Sequence, residues 1–301
     1  MPTEISWVNL IAPIETHRFE DEYFGRRVLH QRRALVSPTG LEEITQWREA
    51  LRGQSLTREG HRGRVVIDPS VRANTTLDGE IDREIDDLLS QGGPLIVDSI
   101  NKISPPVESL AKAIAVGLQS FVGVNAYISP PRKDALDLHQ DEHDVVVLQL
   151  SGEKLWTLGN RVTRGVANSR FFQIDKEALK ADAIANDTFT TLRLGPGDLL
   201  YLPRGLFHRA TASEGTSVHL SFGIRRPTGL DFIDLVMQRL IRETETREYA
   251  PRLGSENGDA DVLAYLDRLR DRINRAAADP ATAKEFLEQY RNMFSGVTDK
   301  D

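Results

Sequence analysis

From about residue 122 to residue 225, short apolar segments alternate with turns rich in glycine and proline. Because successive side chains of an extended chain point to opposite faces, such segments indicate strands with at least one buried face. The segments are VGVNAYISPP, DVVVLQLSG, EKLWTLG, DTFTTLRLGPGDLLYLPRGLFHRATAS and TSVHLSFGI. Several short strands with these turns predict an antiparallel sandwich or barrel of the jelly-roll type.

The first hundred residues mix helical and strand patterns and predict a lead-in to the sheet. Helical spacing is found in HRFEDEYFGRRV, GLEEITQWREAL and LDGEIDREIDDLLSQGG, and strand patterns in RGRVVIDPS and PLIVDSI. A longer helix is predicted in SPPVESLAKAIAVGLQSFVG, where Leu110, Ile114 and Leu118 form an apolar stripe.

After residue 228 the pattern becomes helical, and the predicted helices begin with Asp or Asp-Pro. Apolar residues in the first of them predict a face that packs against the barrel or against a second subunit. These residues are Leu230, Ile233, Leu235, Leu240 and Ile241. The C-terminal region is therefore expected to have a structural role.

The 301-residue chain has no cysteine, which excludes disulfides, thiolate zinc sites, iron–sulfur clusters and a cysteine nucleophile. Any metal site must use His, Asp or Glu. The formal net charge of -7 argues against a nucleic-acid partner bound through its phosphates. The sequence shows no long apolar span and no signal-peptide pattern, so we expect a cytoplasmic protein that does not bind membranes.

The segment HQDEHDVVVLQL places polar, metal-binding residue types directly before an apolar strand. His139 and Asp141 are two residues apart, so in an extended segment their side chains leave the same face. His208, in LPRGLFHRA, follows a turn and is the candidate third ligand. Two imidazoles and one carboxylate on one side of an ion leave three positions open, an arrangement suited to ferrous iron.

Two other interpretations of these residues remain open. His139 and His143 have the spacing of paired zinc ligands on a helix, although the β-branched run that follows argues against a helix. They can equally be ordinary surface histidines, because the spacing alone is weak. Lys154, at the start of the next strand, either extends to water or binds an anionic ligand.

The order of NAYISPP, HQDEHDVVVLQLSGEKLW, GDLLYLPRGLFHRA and SVHLSFG resembles the JmjC-type cupin oxygenases of the ribosomal-oxygenase group. These are iron- and 2-oxoglutarate-dependent hydroxylases. The resemblance is strong over residues 93–225 and looser from Phe19 to Gly92. It implies an α+β chain, mainly β with helices, with a double-stranded β-helix core. The implied domains are a cupin oxygenase domain over 1–228 and a helical region over 229–301, a candidate for dimerisation.

The resemblance also implies roles for individual residues. His139, Asp141 and His208 would bind Fe(II), and Lys154 would pair with the distal carboxylate of 2-oxoglutarate. Further positions would line the pocket of the cosubstrate or the substrate, namely Asn125, Tyr127 and Ser221. An asparagine inside a strand is expected to have a polar task, whereas Tyr127 is as well explained by cross-strand packing.

This chain departs from the family at the pocket entrance. RKDALDL replaces a loop that usually reads like Gly-Ser-Gln-Gly, and His143 replaces an apolar or acidic residue. Gly223 stands where the family tends to have a hydroxyl residue. We expect the substrate to be the property that the resemblance predicts least, and we expect His143 to contact substrate or to be exposed.

The implied activity is the hydroxylation of an unactivated C–H bond, with 2-oxoglutarate and dioxygen as partners. The first candidate substrate is an amino-acid side chain of a protein or peptide, and a peptide-like natural product is the second. Lysine demethylation by the same chemistry is an alternative. The other class of function is a cupin-like interaction module with a non-catalytic metal, which substitution of His139 or Asp141 would distinguish from an enzyme.

Overall fold

A computed structural model describes most of the chain. The described residues are 6–35, 56–58, 64–67, 94–102, 104–131, 137–167, 173–253 and 257–295. The helices predicted over 40–51 and 77–93 lie outside the described residues. The chain divides into two compact units, Met1–Arg225 and Arg226–Asp301. The domain boundary between residues 228 and 229 stays a prediction.

In the described residues of the first unit, the strands form two β-sheets. Its strands are β1 (Leu29–Gln31), β2 (Leu56–Arg58), β3 (Arg64–Ile67), β4 (Leu95–Asp98), β5 (Phe121–Ser129), β6 (Asp144–Ser151), β7 (Lys154–Val162), β8 (Phe189–Leu194), β9 (Leu199–Leu202), β10 (Leu206–Ala212) and β11 (Ser217–Arg225). An eight-stranded sheet has the order β1-β9-β6-β11-β5-β4-β3-β2, and a three-stranded sheet has the order β10-β7-β8. The pairs are antiparallel except β3 with β4, which is parallel.

The two sheets pack together through one apolar cluster. The larger sheet contributes Val145 and Val147 of β6, and the smaller sheet contributes Trp156 and Leu158 of β7, among others. Strand β6 lies between β9 and β11 and is buried over seven of its eight residues, as its run of valine and leucine predicts. The predicted α+β fold with an antiparallel jelly-roll core is confirmed.

Four α-helices accompany the sheets in this unit within the described residues, together with a 3₁₀ helix at Ile100–Lys102. The α-helices are α1 (Trp7–Ile11), α2 (Thr16–Glu22), α3 (Pro105–Leu118) and α4 (Lys176–Asn186). The predicted stripe of Leu110, Ile114 and Leu118 on α3 is buried. Helix α4, between β7 and β8, was not predicted from the sequence.

The second unit is helical, as expected. Within the described residues its α-helices are α5 (Gly229–Leu240), α6 (Gly258–Ala278) and α7 (Pro280–Ser295), and a 3₁₀ helix covers Glu245–Arg247. A capping box formed by Thr228 and Asp231 begins α5. Among the residues of the predicted packing face, Leu235 and Leu240 are buried, whereas Leu230, Ile233 and Ile241 are exposed. In the described part of the chain, no helix has the length and apolar character needed to cross a membrane.

Candidate metal centre

The backbone brings two of the three predicted ligands together. His139 pairs with His208 in an isolated antiparallel bridge, in which each main-chain N–H donates to the other residue's carbonyl oxygen. The donor–acceptor distances are 3.1 Å from His139 and 2.7 Å from His208. This bridge joins the segment before β6 to strand β10, and the centroids of the two imidazoles lie 4.4 Å apart.

Asp141 completes the cluster from the turn between His139 and β6. Its main-chain oxygen accepts a hydrogen bond of 3.0 Å from the Gly205 N–H. Its carboxylate oxygens lie 3.9 Å from Nε2 of His139 and 3.6 Å from Nε2 of His208. One ligand atom from each residue can be chosen so that all three lie within 4.8 Å of one another. The segment is not helical, so the helical zinc interpretation is wrong.

The hydrogen bonds of both histidines leave Nε2 available as a ligand. Nδ1 of His139 donates to the Asp137 carbonyl at 2.7 Å, and Nδ1 of His208 donates to the Leu206 carbonyl at 3.0 Å. Because a carbonyl oxygen only accepts, these contacts place the proton on Nδ1 and the lone pair on Nε2. Burial and the neighbouring His139 lower the pKa of His208 to about 4, which keeps this ring neutral. The three residues therefore fit a divalent metal with mixed nitrogen and oxygen ligands.

A cavity of about 320 Å³ adjoins this cluster. Part of its wall is the β5–β11 pair, where Asn125 lies opposite Ser221 and Tyr127 lies opposite His219. These residues occupy alternate positions of their strands and so share one face of the sheet. Trp156 also lines the cavity, with its ring centroid 6.0 Å from that of His208.

Lys154 is fully buried, so the interpretation in which its side chain extends to water is wrong. Its ammonium donates hydrogen bonds to Oγ of Ser129 at 2.8 Å and to Nδ1 of His219 at 2.9 Å. Among the described residues, those that line the cavity include His219 but not Lys154. The lysine therefore supplies a buried positive charge directly behind a histidine of the cavity wall.

The remaining predicted pocket residues also line the cavity. Asn125 has the expected polar task, because its Oδ1 accepts a hydrogen bond of 3.4 Å from the Ser99 N–H. His143 is exposed and also lines the cavity. Its ring lies over Gly223, where an added Cβ would be 3.2 Å from Cε1 of His143. Residues 132–136, which belong to the RKDALDL segment that differs from the family pattern, lie outside the described residues.

Neither His219 nor Trp156, which both line the cavity, was predicted as a site residue from the sequence. A signal for His219 was available, because it alternates with Ser221 and Gly223 along β11 and so shares their face. Its contact with Lys154 depends on how two separate strands pack, and no local pattern indicates it.

Residues 103–232 match the family model described as the JmjC domain. The chain is therefore similar to JmjC proteins over this range. This range runs from just before α3 into α5, so the matched residues include strands β5 to β11 and the whole metal-ligand cluster.

Curated proteins are similar to most of this chain. Ribosomal oxygenase 1 of Rattus norvegicus is 27% identical over 310 residues, which cover 92% of this chain and 50% of that protein. A protein of Dictyostelium discoideum named bifunctional lysine-specific demethylase and histidyl-hydroxylase NO66 is 25% identical, over 83% of this chain and 51% of its own length. The chain thus spans about half the length of these curated relatives.

A similar fold is found in a solved structure of YcfD, a ribosomal oxygenase from Escherichia coli in complex with cobalt and 2-oxoglutarate. The two structures superpose with a TM-score of 0.57 over 93% of this chain and 71% of that chain. At 18% sequence identity, this likeness concerns the fold.

Proposed function

We propose that this protein is an Fe(II)- and 2-oxoglutarate-dependent dioxygenase that hydroxylates an amino-acid side chain of a protein or peptide. The observation that supports this most strongly is the combination of two imidazoles and one carboxylate beside a cavity with a buried lysine behind its wall. A non-catalytic interaction module would need neither the lysine nor the cavity at this place.

Each part of the site has a task in this proposal. His139, Asp141 and His208 bind the metal on one face and leave its other positions open. When bound, Fe(II) with 2-oxoglutarate and dioxygen supplies the oxidation: one oxygen atom enters the substrate and the other enters succinate, with release of carbon dioxide. Lys154 compensates the charge of the distal carboxylate, and the buried strand β6 keeps water from one side of the site.

For the substrate, we propose a side chain of a ribosomal protein, with histidine as the first residue to test. The names of the relatives support this choice, since they include ribosomal oxygenase and histidyl-hydroxylase. A peptide-like natural product is the second candidate. Lysine demethylation is the second candidate reaction, because the Dictyostelium relative is named for both activities.

We also propose that the protein forms a homodimer through its helical unit. Leu263, Leu266 and Ile273 of α6 are 63%, 49% and 42% exposed in the single chain. They recur at helical spacing, so they form one apolar face that a second copy would cover.

Turnover of 2-oxoglutarate tests the proposed activity. We expect the wild-type protein with Fe(II) to form succinate, and we expect His139→Ala and Asp141→Ala to lower the rate by more than about 100-fold, because each removes a ligand. Asp137→Ala is the matched control, since its side chain is exposed and its contact with His139 uses the main-chain carbonyl. Equal succinate formation by all four proteins would contradict the proposal.

The substrate is tested separately by incubating the enzyme with ribosomal proteins, Fe(II) and 2-oxoglutarate. We expect mass spectrometry of the digested proteins to find one added oxygen atom on a histidine-containing peptide. Addition to a different residue type would change the assigned substrate, and loss of a methyl group from lysine would favour the demethylase.

A further inference from the structure

His219 lies between the buried ammonium of Lys154 and the cavity. Its Nδ1 is 2.9 Å from the Lys154 ammonium, and its ring lines the cavity. An ammonium group has only donors, so Nδ1 of His219 must be the acceptor in this contact. The neutral ring then has its proton on Nε2, the opposite arrangement from His139 and His208, which donate from Nδ1.

The ring orientation of His219 is fixed from two sides. Tyr127 stacks on it with centroids 4.8 Å apart and ring planes inclined by 10°. If the ring were turned over about its Cβ–Cγ bond, a carbon atom would face the ammonium of Lys154, and this buried group would lose a hydrogen-bond acceptor. Burial and the nearby ammonium also lower the pKa of His219 well below 6.5, so the ring remains neutral.

His219 is also close enough to the metal-ligand cluster to take part in the same binding event. The ring of Trp156 is near both sites, with its centroid 6.0 Å from that of His208 and 5.7 Å from that of His219. A ligand that reaches from the metal along Trp156 therefore meets His219 on the cavity wall.

We propose that His219 binds the distal carboxylate of the 2-oxo acid cosubstrate through its Nε2–H group, while Lys154 fixes the proton position from behind. This inference rests on the proposed function and assigns His219 as a cosubstrate-binding residue. Lys154 acts as a positioning residue that also supplies the compensating charge. The neutral Nε2–H donor of His219 on the cavity wall, with the Lys154 ammonium behind it, favours a 2-oxo acid that has a second carboxylate.

Two substitutions of His219 test the roles of its two ring nitrogens separately. His219→Asn keeps an acceptor oxygen near the position of Nδ1 for Lys154 and removes the donor from the cavity. His219→Gln reaches farther and places an amide N–H near the position of Nε2. We expect His219→Asn to weaken binding of 2-oxoglutarate to the Mn(II)-loaded protein by about 10-fold to 100-fold, the effect of losing a hydrogen bond to a charged group. We expect His219→Gln to keep most of the affinity.

Isothermal titration calorimetry with two cosubstrates provides the control. Binding of 2-oxobutanoate, which lacks the distal carboxylate, should be the same for the wild type and both variants. An equal loss of affinity for both 2-oxo acids, or unchanged affinity of His219→Asn for 2-oxoglutarate, would overturn the inference. If the wild type with Mn(II) does not bind 2-oxoglutarate, the proposed function fails, and the inference fails with it.

The wild-type protein gives a second test that does not depend on the folding of a variant. In protein with 15N-labelled histidine rings and bound Zn(II), NMR spectroscopy should find the proton of His219 on Nε2. The Nε2–H signal should shift on addition of 2-oxoglutarate but not of 2-oxobutanoate. A proton on Nδ1, or no response to 2-oxoglutarate, would contradict the inference.

Discussion

Asp144 is the first residue of β6, and its carboxyl group is buried. The carboxylate accepts hydrogen bonds from the Tyr201 hydroxyl and, at 3.3 Å, from the Arg204 N–H. Burial nevertheless raises the pKa of Asp144 above its ordinary value of 3.8, because loss of water outweighs these contacts. Protonation of Asp144 therefore favours the folded state.

A pH titration of stability tests this account of Asp144. Its stabilising contribution is fully present below pH 3.8 and is lost as the pH rises through the higher pKa of the folded state. Asn resembles the protonated carboxyl group, so Asp144→Asn should match the wild type at low pH and gain in melting temperature relative to it toward neutral pH. Asp137→Asn, an exposed change, should not gain. A fall in the relative melting temperature of Asp144→Asn as the pH rises would contradict the account.

The sequence predicts the three residues of the cluster but not their electrostatic surroundings. The two-residue spacing of His139 and Asp141 and the turn before His208 are local features, and these residues do lie together. The importance of His219 depends on the burial of Lys154 and on the pairing of β5 with β11, which only the folded chain defines. Their roles as iron ligands and cosubstrate contacts stay predictions.

The turn between β9 and β10 determines the position of His208 relative to Asp141. Gly205 has φ of +81°, and its N–H donates to the main-chain oxygen of Asp141 at 3.0 Å. A Cβ at this glycine would collide with the main-chain oxygen of Thr163. Both the positive φ and the close approach require glycine here.

We expect Gly205→Ala to destabilise the fold by about 1–3 kcal/mol and to weaken Mn(II) binding, because the turn must shift away from Thr163 and from Asp141. Gly215→Ala is the matched control, since no heavy atom lies within 4 Å of its added Cβ and its φ is not positive. Chemical denaturation and calorimetry with Mn(II) measure the two effects. Equal stability and equal metal affinity of the two variants would show that this turn does not position the site.

The elements that sequence patterns predict are those with a continuous buried face. Strand β6 and helix α3 have such faces and were predicted. Helix α4 was not, because only Ala183 of its residues is buried and no apolar stripe indicates it. Strand β1 has three residues, too few for a period of two to be recognised.

At the scale of the whole molecule, the proposed dimer predicts a concentration-dependent association. Replacing Leu263 and Leu266 of α6 by Asp should shift the protein from dimer to monomer in sedimentation velocity experiments, because charges would face the apolar surface of the second copy. The matched control replaces the exposed Arg268 and Arg275 by Ala, which changes the net charge by the same amount. A monomeric wild type, or a dimer unaffected by the two Asp substitutions, would contradict this proposal.

The sequence pattern predicts a jelly-roll type of core because alternating strands with glycine and proline turns need two packed sheets to bury their apolar faces. The division into eight and three strands could not be predicted, since it depends on long-range pairings such as β1 with β9. The substrate could not be predicted either, because the sequence departs from the family that it resembles at RKDALDL and at His143, which lines the cavity.

Mass spectrometry of succinate formed under 18O-labelled dioxygen tests the central claim most directly. In the proposed reaction, 2-oxoglutarate loses carbon dioxide and its new carboxylate takes one oxygen atom from dioxygen. The wild type and Asp137→Ala with Fe(II) should therefore give succinate with one 18O atom, and Asp141→Ala should give none above background. Failure of the metal-loaded wild type to form labelled succinate, or equal labelling by Asp141→Ala, would contradict the assignment of this cluster as the iron centre of a 2-oxoglutarate dioxygenase.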